Sequence, residues 1–362
     1  MTQDISQPLA GITVLDLSRL LPGPVTSLRL AQMGASVIKI EQPGEGDYAR
    51  MIGPIKNKVS QFFVAVNHSK QFLRLDLKNA SDCQDFFDLV KKADVVLESF
   101  RPGVMDKLGL GWQKLRDINP KLVMCAISGY GMDGPFAHLA GHDLNYIAMS
   151  GMLQQNVAAD GTPAIPNLQI GDLLGGAQQA VQGILAGLLA VKMDGAGCFV
   201  DISMTDGVLA NNIMPCVAFN GSGKSAEPGQ DLLTGGVPCY NVYRTQDQRF
   251  LAVGALELKF WETVCEVLQR PEWKRQHWMC GQAVAGNAAK LLKQELDTLF
   301  ASQTLAFWVE KFAGHDCCVS PVLSIEEALA DPLFSARQMV HQAEHETEGN
   351  YLQLGSGIRF LA

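Results

Sequence analysis

The sequence predicts an α/β fold, with a large domain built on an open, mostly parallel Rossmann-like sheet and a smaller α+β domain. Strand and helix patterns alternate through the N-terminal half, and the strand patterns are rich in Leu, Ile and Val. The chain has 362 residues, of which 47% are hydrophobic and 18% charged. It is therefore long enough for two ordinary globular domains.

The first elements predict a βαβ unit. Residues 13–18 form a β-branched and Leu-rich strand, followed by the turn residues PGP at 22–24. An amphipathic helix at 25–34 precedes a second strand at 36–41. The helix is needed because parallel strands must be joined by a crossover connection.

Further strands and helices extend the predicted sheet. Residues 72–78 alternate as a strand, and the helix at 81–93 opens on Ser81 and closes on lysines, as helices do. The segments DVVLES, LVMCAIS and CFVDISM supply three more strands. We therefore assign residues 1–215 to the large domain.

A change of composition predicts the domain boundary. The stretch GSGKSAEPGQDLLTGG is rich in Gly and polar residues, so we interpret 216–236 as a linker. The small domain, 237–329, begins with the hairpin pattern YNVYRT–QDQ–RFLAVGA. Residues 330–362 return to the first domain and end in a short strand near GIRFLA. The small domain's helices are expected around 259–269, 287–301 and 303–313.

Charge and cysteine usage exclude several classes of function. A formal net charge of −8 argues against nucleic-acid and membrane-surface partners, because both are polyanionic. The N-terminus lacks a basic region followed by an apolar core, and no long uninterrupted apolar stretch occurs. The nine Cys, such as Cys125 and Cys265, have no zinc-like spacing and fit reduced structural thiols. We expect a cytoplasmic protein without a metal.

The turn after the first strand, LLPGPV, lacks the dinucleotide pattern G-x-G-x-x-G, and no P-loop pattern occurs. A nicotinamide or nucleoside triphosphate cofactor is therefore not supported. Basic residues gather around the strands, where α/β sheets place their ligands, and could hold the phosphates of an anion. They are Lys39, Lys70, Arg74, Lys78, Arg101 and Lys107.

His142 and Asp172 are the strongest candidates for chemistry. Of the seven histidines, His142 alone lies in a Gly-bounded turn leading into an apolar segment, whereas the others, including His277, are expected on the surface. Asp172 precedes a long apolar helix, where it would serve as an N-cap and be stabilised in its ionised form. For both residues a structural role remains open beside an acid/base role. Asp172 could also act as a nucleophile toward an acyl group.

Glu257 is a third candidate, because it lies between apolar residues and the aromatic pair Phe260 and Trp261. A carboxylate among apolar neighbours is costly without a partner such as a protonated imidazole. The alternative is that Glu257 caps the helix that follows. No close His/Asp spacing accompanies these groups, so metal binding is not expected.

Along nearly its whole length the chain resembles α-methylacyl-CoA racemases, a branch of the family III CoA-transferase superfamily of CaiB/BaiF-like proteins. The resemblance lies in long stretches, among them LAGITVLDLSRLLPGP, NHSKQFLRLDLK, ADVVLESFRPGVMDKLGLG, GDLLGGAQQAVQGILAGLLAV and FLAVGALELKFWE. Racemase-type members carry Gly-His-Asp, as here at 141–143. CoA-transferases of the superfamily typically lack this His.

The resemblance implies that His142 and Asp172 are the two bases of an acyl-CoA racemase and that Glu257 orients and charges the imidazole. It implies the alternative of a CoA-transferase in which Asp172 is the acyl-accepting nucleophile; a silent CoA-binding protein is a third possibility. No cofactor is expected apart from coenzyme A as part of the substrate. Expected coenzyme A contacts are Leu75, Asp76, Leu77, Lys78, Ser99, Phe100, Arg101, Lys107, Gly141, Asp143, Leu144, Asn145 and Tyr146.

Two further expectations follow from the same resemblance. Many relatives have an Arg where this chain has Gln42, so we expect a phosphate or adenine contact to be either weaker or supplied by Lys39 instead. The family's architecture is an interlocked homodimer with the active site between the large domain of one chain and the small domain of its partner. Glu257 would then reach the bases either from the other chain or from within its own chain, and the sequence leaves both arrangements open.

Overall fold

A computed structural model describes residues 7–158, 160–345 and 349–361. The chain forms two compact units. The first comprises Met1–Leu153, Ile165–Ile213 and Pro332–Ala362, and the second Gln154–Ala164 and Met214–Asp331.

Thirteen strands are present in the described residues: β1 (Thr13–Asp16), β2 (Ser36–Glu41), β3 (Ile55–Lys56), β4 (Val59–Ser60), β5 (Gln71–Arg74), β6 (Val95–Glu98), β7 (Val123–Ser128), β8 (Cys198–Ser203), β9 (Tyr240–Arg244), β10 (Phe250–Gly254), β11 (Val319–Pro321), β12 (Val340–His345) and β13 (Gly349–Leu354). Three 3-10 helices lie at Tyr48–Met51, Pro271–Trp273 and Trp278–Cys280, and a π-helical segment at Gly171–Gln178. The α-helices are α1 (Pro22–Gln32), α2 (Gln61–Asn67), α3 (Ala80–Val90), α4 (Val104–Lys107), α5 (Trp112–Ile118), α6 (Asp143–Met149), α7 (Met152–Gln155), α8 (Gln179–Asp194), α9 (Met204–Asn211), α10 (Ile213–Ser222), α11 (Leu258–Val267), α12 (Asn287–Phe300), α13 (Leu305–Phe312), α14 (Ile325–Ala330) and α15 (Pro332–Ala336).

The first unit is built on a six-stranded sheet in the order β5-β2-β1-β6-β7-β8. Every pairing in it is parallel, which confirms the predicted α/β fold. The chain runs outward from β1 to β5 on one side and from β6 to β8 on the other. The direction of winding therefore reverses between β1 and β6, and sheets of this kind bind ligands outside the carboxyl ends of those strands.

Helices cover both faces of this sheet because side chains alternate along each strand. Val14 of β1 packs in a core with Leu30 and Ile184, on the side of α1 and α8. The next residue, Leu15, packs in a second core with Phe86 of α3. Burial on both faces explains why the strands are apolar runs rather than alternating patterns.

The second unit contains a three-stranded antiparallel sheet in the order β11-β10-β9. Helices α11, α12 and α13 contribute buried side chains to its core, including Trp261, Phe300 and Trp308. His277 is buried here at 0% exposure, so the expected surface position is wrong. Its Nδ1 accepts a hydrogen bond from the backbone N–H of Met279. The ring also stacks on Trp261, so capping and aromatic packing outweigh the polar sequence context.

Two boundary expectations need correction. The segment interpreted as a linker from residue 216 is helical to Ser222, because α10 continues the apolar run IMPCVAF. The strand expected near GIRFLA is absent from its described residues, 357–361; the tail instead contains the antiparallel pair β12 and β13.

One helix in the described ranges, Gly171–Asp194, is long and apolar enough by composition to cross a membrane. It spans the π-helical segment and α8. Its residues Ala180, Val181 and Ile184 pack into the core beside the parallel sheet, as a core helix of comparable composition does.

Buried ion pairs lie where β1 and β2 end. The Nζ of Lys70 lies 3.3 Å from Oδ2 of Asp16, and both side chains have 0% exposure. The Nζ of Lys39 lies 3.1 Å from Oδ2 of Asp47 and donates to the carbonyl of Ser18 at 2.7 Å. Lys39 and Lys70 are consequently enclosed in the protein, and the expectation that they bind ligand phosphates is wrong.

The buried charges of Asp16 and Lys70 change each other's pKa. Burial alone would raise the pKa of Asp16, but Lys39, Lys70 and the hydroxyls of Ser18 and Ser27 lower it to about 2. Burial also lowers the pKa of Lys70 to about 8, against the opposing effect of Asp16. The pair is therefore charged at neutral pH, and each member depends on the other.

Lys70→Met should lower the free energy of unfolding by about 3–5 kcal/mol, because it leaves the Asp16 carboxylate buried with one cation fewer. Lys91→Met is the matched control. It removes the exposed Lys91–Asp88 pair, and that loss should cost less than about 1 kcal/mol. Urea unfolding measures both variants. Equal losses would contradict the central role of the buried pair.

Candidate active site

A cavity of about 700 Å³ lies in the first unit at the carboxyl ends of β1, β6 and β7. Its position follows from the strand order, because the loops leaving β1 and β6 diverge at the reversal point. Residues 19–22, 99–102 and 127–129 form this side of the cavity. His142 and Asp172 also line it. The two candidate bases are therefore brought to one site.

Sequence reasoning missed part of the cavity wall, namely Arg19, Leu20, Pro22, Tyr48, Pro102, Val104, Ile127, Ser128, Gly129, Ala137, Leu139, Ala140 and Met204. The first three follow β1 in the turn that was set aside for lacking the dinucleotide pattern. The order of the predicted strands could have identified these residues. Residues directly after the first, fourth and fifth parallel strands lie together at the carboxyl edge of the sheet.

Arg19 is the main functional candidate among the missed residues. Its guanidinium carbon lies 5.4 Å from the ring centroids of both Tyr48 and Phe100. Its Nη2 donates to Oε1 of Gln42 at 3.3 Å. Gln42 therefore helps to orient a cation at the cavity instead of providing one. With Arg101, Arg19 gives the wall two guanidinium groups suited to anions.

The turn after β1 is held by close packing and a strained residue. A Cβ on Gly23 would lie 2.1 Å from Cβ of Ser18, so only Gly fits there. Leu20 has a φ of 64°, and its backbone N–H donates to Oδ1 of Asp47 at 3.0 Å. A branched residue in the left-handed region is costly and is held there by such contacts. Asp47, fixed by Lys39, thus shapes the wall next to Arg19.

His142 occupies the N-cap of α6, as the sequence predicts. Its backbone N–H donates to Oδ1 of Asn145 at 3.0 Å. The hydroxyl of Tyr146 donates to the carbonyl of Gly141 at 2.6 Å. A Cβ on Gly129 or Gly141 would come within 2.5 or 2.7 Å of the Tyr146 ring. The turn that carries the imidazole is therefore fixed from both sides.

Asp172 is the second residue of the π-helical segment rather than the expected N-cap, because the segment begins at Gly171 and Ile170 caps it. The expected stabilisation of its ionised form is also wrong. Burial and the negative charge of Asp143 raise the pKa of Asp172 to about 7. π-Helical turns are frequent at functional sites, where they redirect a side chain. The result is a carboxyl group that gains and loses a proton near neutral pH.

The expected coenzyme A contacts divide into two groups. Ser99, Phe100, Arg101, Gly141, Asn145 and Tyr146 line the cavity. Leu75, Asp76, Leu77, Lys78, Lys107, Asp143 and Leu144 do not. The side chain of Leu75 is buried in the core with Phe86, which explains its apolar character without a ligand. Lys78 and Lys107 are exposed outside the cavity, and their contact with a ligand stays a prediction.

Glu257 belongs to the second unit, where it is the N-cap of α11. The capping position is as expected, but the side chain makes no capping hydrogen bond and is exposed. Its partnership with His142 stays a prediction. Across residues 7–158, 160–345 and 349–361 no group of three His, Cys, Asp or Glu side chains is arranged to hold a metal ion.

Comparisons with known proteins agree with this architecture. Residues 9–361 match the family model described as CoA-transferase family III. The chain is 34% identical to human α-methylacyl-CoA racemase over 95% of this chain and 82% of the relative. It is also 34% identical to acetyl-CoA:oxalate CoA-transferase of Acetobacter aceti, over 92% and 85% respectively. A solved CaiB/BaiF family protein from Brucella suis aligns with a TM-score of 0.83 and 26% identity, over 98% of this chain and 93% of that one.

Asp172→Asn should stabilise the protein more at about pH 8 than at about pH 5. The folded state raises the pKa of Asp172 from 3.8 to about 7, so the native protein holds a proton that the unfolded chain has lost. Stability contributed by wild-type Asp172 therefore falls as pH rises through this window, and Asn does not titrate. Thermal unfolding at both pH values measures the difference.

Asp160→Asn is the control that should show no pH dependence. Hydrogen bonds from Thr162 lower the pKa of the exposed Asp160 carboxylate below 3.8, so it is ionised in the folded and the unfolded state at both pH values, and any loss of stability should be the same at both. The raised pKa of Asp172 would be contradicted by a Tm gain that is the same at both pH values.

Proposed function

The chain belongs to CoA-transferase family III, and from this membership we propose that it is a racemase of 2-methyl-branched or similar α-substituted acyl-CoA thioesters. The observation that carries the proposal is the presence of two bases of different chemical type, His142 and Asp172, in the wall of one cavity. Such a pair can remove a proton from one face of a carbon and return one to the other face.

The proposed reaction is a 1,1-proton transfer at the α-carbon. One base takes the α-proton, and the electron pair moves into an enolate on the thioester oxygen. The second base, protonated beforehand, then delivers its proton to the opposite face and the thioester is restored. A carboxyl group with a pKa of about 7 supports this role for Asp172, because both protonation states are available at neutral pH.

The enolate needs hydrogen-bond donors, and backbone N–H groups are the natural source. Asp143 and Leu144 lie in the first turn of α6, next to His142, where N–H groups have no acceptor within the helix. A well-placed donor of this kind contributes roughly 3–4 kcal/mol to catalysis. Arg19 and Arg101 would hold anionic groups of coenzyme A, whose remote binding energy then helps to position the α-carbon.

Activity as a CoA-transferase is the second candidate, and it is favoured by the equal identity to a transferase relative. In that reaction an Asp172 carboxylate oxygen attacks the thioester carbonyl and the coenzyme A thiolate leaves, giving a mixed anhydride. The thiolate then attacks the Asp172 carbonyl and releases the carboxylate of the donor acid. The resulting enzyme thioester passes coenzyme A to an acceptor acid by the reverse steps. His142 has no required role there.

Incubation of a panel of α-substituted acyl-CoA thioesters in deuterium oxide tests the proposal. The racemase should exchange the α-hydrogen and interconvert the two enantiomers without a second acid. A transferase should instead yield an Asp172 hydroxamate when hydroxylamine is added with acyl-CoA, detected by mass spectrometry of the Asp172 peptide. Hydroxamate formation together with coenzyme A exchange between acids, and no racemisation, would overturn the proposal.

His142→Ala and Asp172→Ala should each abolish racemisation almost fully, because the reaction needs both a proton donor and an acceptor. Each variant should still exchange the α-hydrogen of one enantiomer, because one base and the enolate site survive. Chiral analysis and mass spectrometry in deuterium oxide separate the two effects. Full racemisation by His142→Ala would disprove the two-base assignment while leaving the acyl-CoA substrate open.

We further propose, from the resemblance alone, that the protein is an interlocked homodimer in which Glu257 of one chain supports the imidazolium of His142 in its partner. Co-expression of Asp172→Ala chains with Glu257→Ala chains tests this. Mixed dimers should regain one intact site, and so activity above either parent protein. If Glu257 acts within its own chain, neither site is intact and no activity returns.

A further inference from the structure

Asp143 directly follows His142 and forms a contact that the proposed mechanism does not use. Its Oδ1 accepts a hydrogen bond from the backbone N–H of Asp172 at 3.0 Å. The bond joins the turn that carries one proposed base to the π-helical segment that carries the other. Asp143 is absent from the cavity wall, although the family resemblance led us to expect a coenzyme A contact there.

The packing around this bond leaves little freedom. A Cβ on Gly171 would lie 3.0 Å from Oδ1 and 3.3 Å from the carbonyl oxygen of Asp143. The same Cβ would lie 3.2 Å from Cβ of Tyr146. Gly171 therefore permits the close approach of α6 to the start of the π-helical segment. The hydroxyl of Tyr146 in turn fixes Gly141, on the other side of His142.

We propose that Asp143 is a positioning residue whose side chain fixes the place of Asp172 relative to His142, and that this side chain does not bind coenzyme A. This inference rests on the proposed use of Asp172 in catalysis. Asp143 thus has a role distinct from that of His142. Its carboxylate accepts the hydrogen bond from the Asp172 backbone and places a negative charge beside Asp172.

Asp143 also acts on Asp172 electrostatically, because, together with burial, its negative charge raises the pKa of Asp172. Elements packed on the π-helical segment carry other ionisable groups: Arg29 on α1, Lys192 and Asp194 on α8, Cys198 and Asp201 on β8, Asp206 on α9 and Tyr146 on α6. Arg19, Tyr48, Arg101 and His142 line the cavity with Asp172. Asp143, rather than any of these groups, is the charge that acts with burial to raise the pKa of Asp172. Like charges held close disfavour ionisation of the weaker acid.

Asp143→Asn separates the two parts of the role. The amide keeps an oxygen that can accept the Asp172 N–H, but it carries no charge. We expect kcat to stay within about tenfold of wild type. In the direction in which Asp172 accepts the α-proton, we also expect the acid limb of the pH profile to move down by about one pH unit, because the pKa of Asp172 falls when the neighbouring charge is removed.

Asp143→Ala removes the acceptor as well, so Asp172 loses its fixed position. Small displacements of a catalytic group cost about a hundredfold in rate, and we expect that loss in kcat with KM for acyl-CoA nearly unchanged. Gly171→Ala disturbs the same contact from the opposite side and should give a smaller kcat loss. Asp117→Asn, an exposed carboxylate on α5, is the control and should keep wild-type rates. A raised KM with unchanged kcat in Asp143→Ala would overturn the proposal and restore Asp143 as a ligand contact.

A second measurement needs no substrate and therefore stands apart from the proposed function. Unfolding midpoints of wild type, Asp143→Asn, Asp172→Asn and the double variant form a double-mutant cycle. At about pH 8 the gain from Asp172→Asn should be smaller in the Asp143→Asn background, because the repulsion is already relieved. At about pH 5 the two backgrounds should agree. Equal gains in both backgrounds at the higher pH would overturn the proposal, whatever reaction the enzyme catalyses.

Discussion

The buried pairing of Asp16 with Lys70, and of Lys39 with Asp47, is the interaction on which the carboxyl edge of the sheet depends. Asp16 ends β1 and Lys39 lies in β2, so the ion pairs fix two strand ends together with the turn between Ser18 and Pro24. Breaking a buried pair leaves an uncompensated charge, which makes such a network intolerant of substitution. The strained φ of Leu20 persists because Asp47 is held in this way. The shape of the cavity wall therefore depends on buried charges that do not line the cavity.

This network also decides which cations can reach a ligand. An acidic chain that binds an anion needs local positive charge, but the buried Lys39 and Lys70 are paired with Asp47 and Asp16. The guanidinium groups of Arg19 and Arg101 remain at the cavity. Guanidinium keeps its charge in most environments, whereas burial weakens the proton affinity of an ammonium group, as the lowered pKa of Lys70 shows. The two buried lysines thus stabilise the protein interior, whereas the two arginines are available to an anion in the cavity.

The local sequence patterns predicted the features that depend on residues close together in the sequence. The parallel sheet followed from apolar runs alternating with helices, and the N-cap position of His142 from a Gly-bounded turn before an apolar segment. The burial of Lys39, the π-helical segment at Asp172 and the aromatic enclosure of His277 depend on residues distant in sequence. The expected stabilisation of ionised Asp172 by a helix N-terminus was wrong for the same reason. The burial of Asp172 and the like charge of Asp143 on α6 depend on residues distant in sequence.

The raised proton affinity of Asp172 bears on the choice between the two reactions that share this carboxyl group. A nucleophile toward a thioester must be ionised, so a raised pKa withholds part of the enzyme from the reaction at neutral pH. A base that must take a proton in one direction and give one in the other works best when both forms are populated. A pKa of about 7 suits a base that must exist in both protonation states and is unfavourable for a nucleophile that must be ionised. In the proposed racemase, His142 in the same cavity wall would be the second base, which acts on the opposite face of the α-carbon.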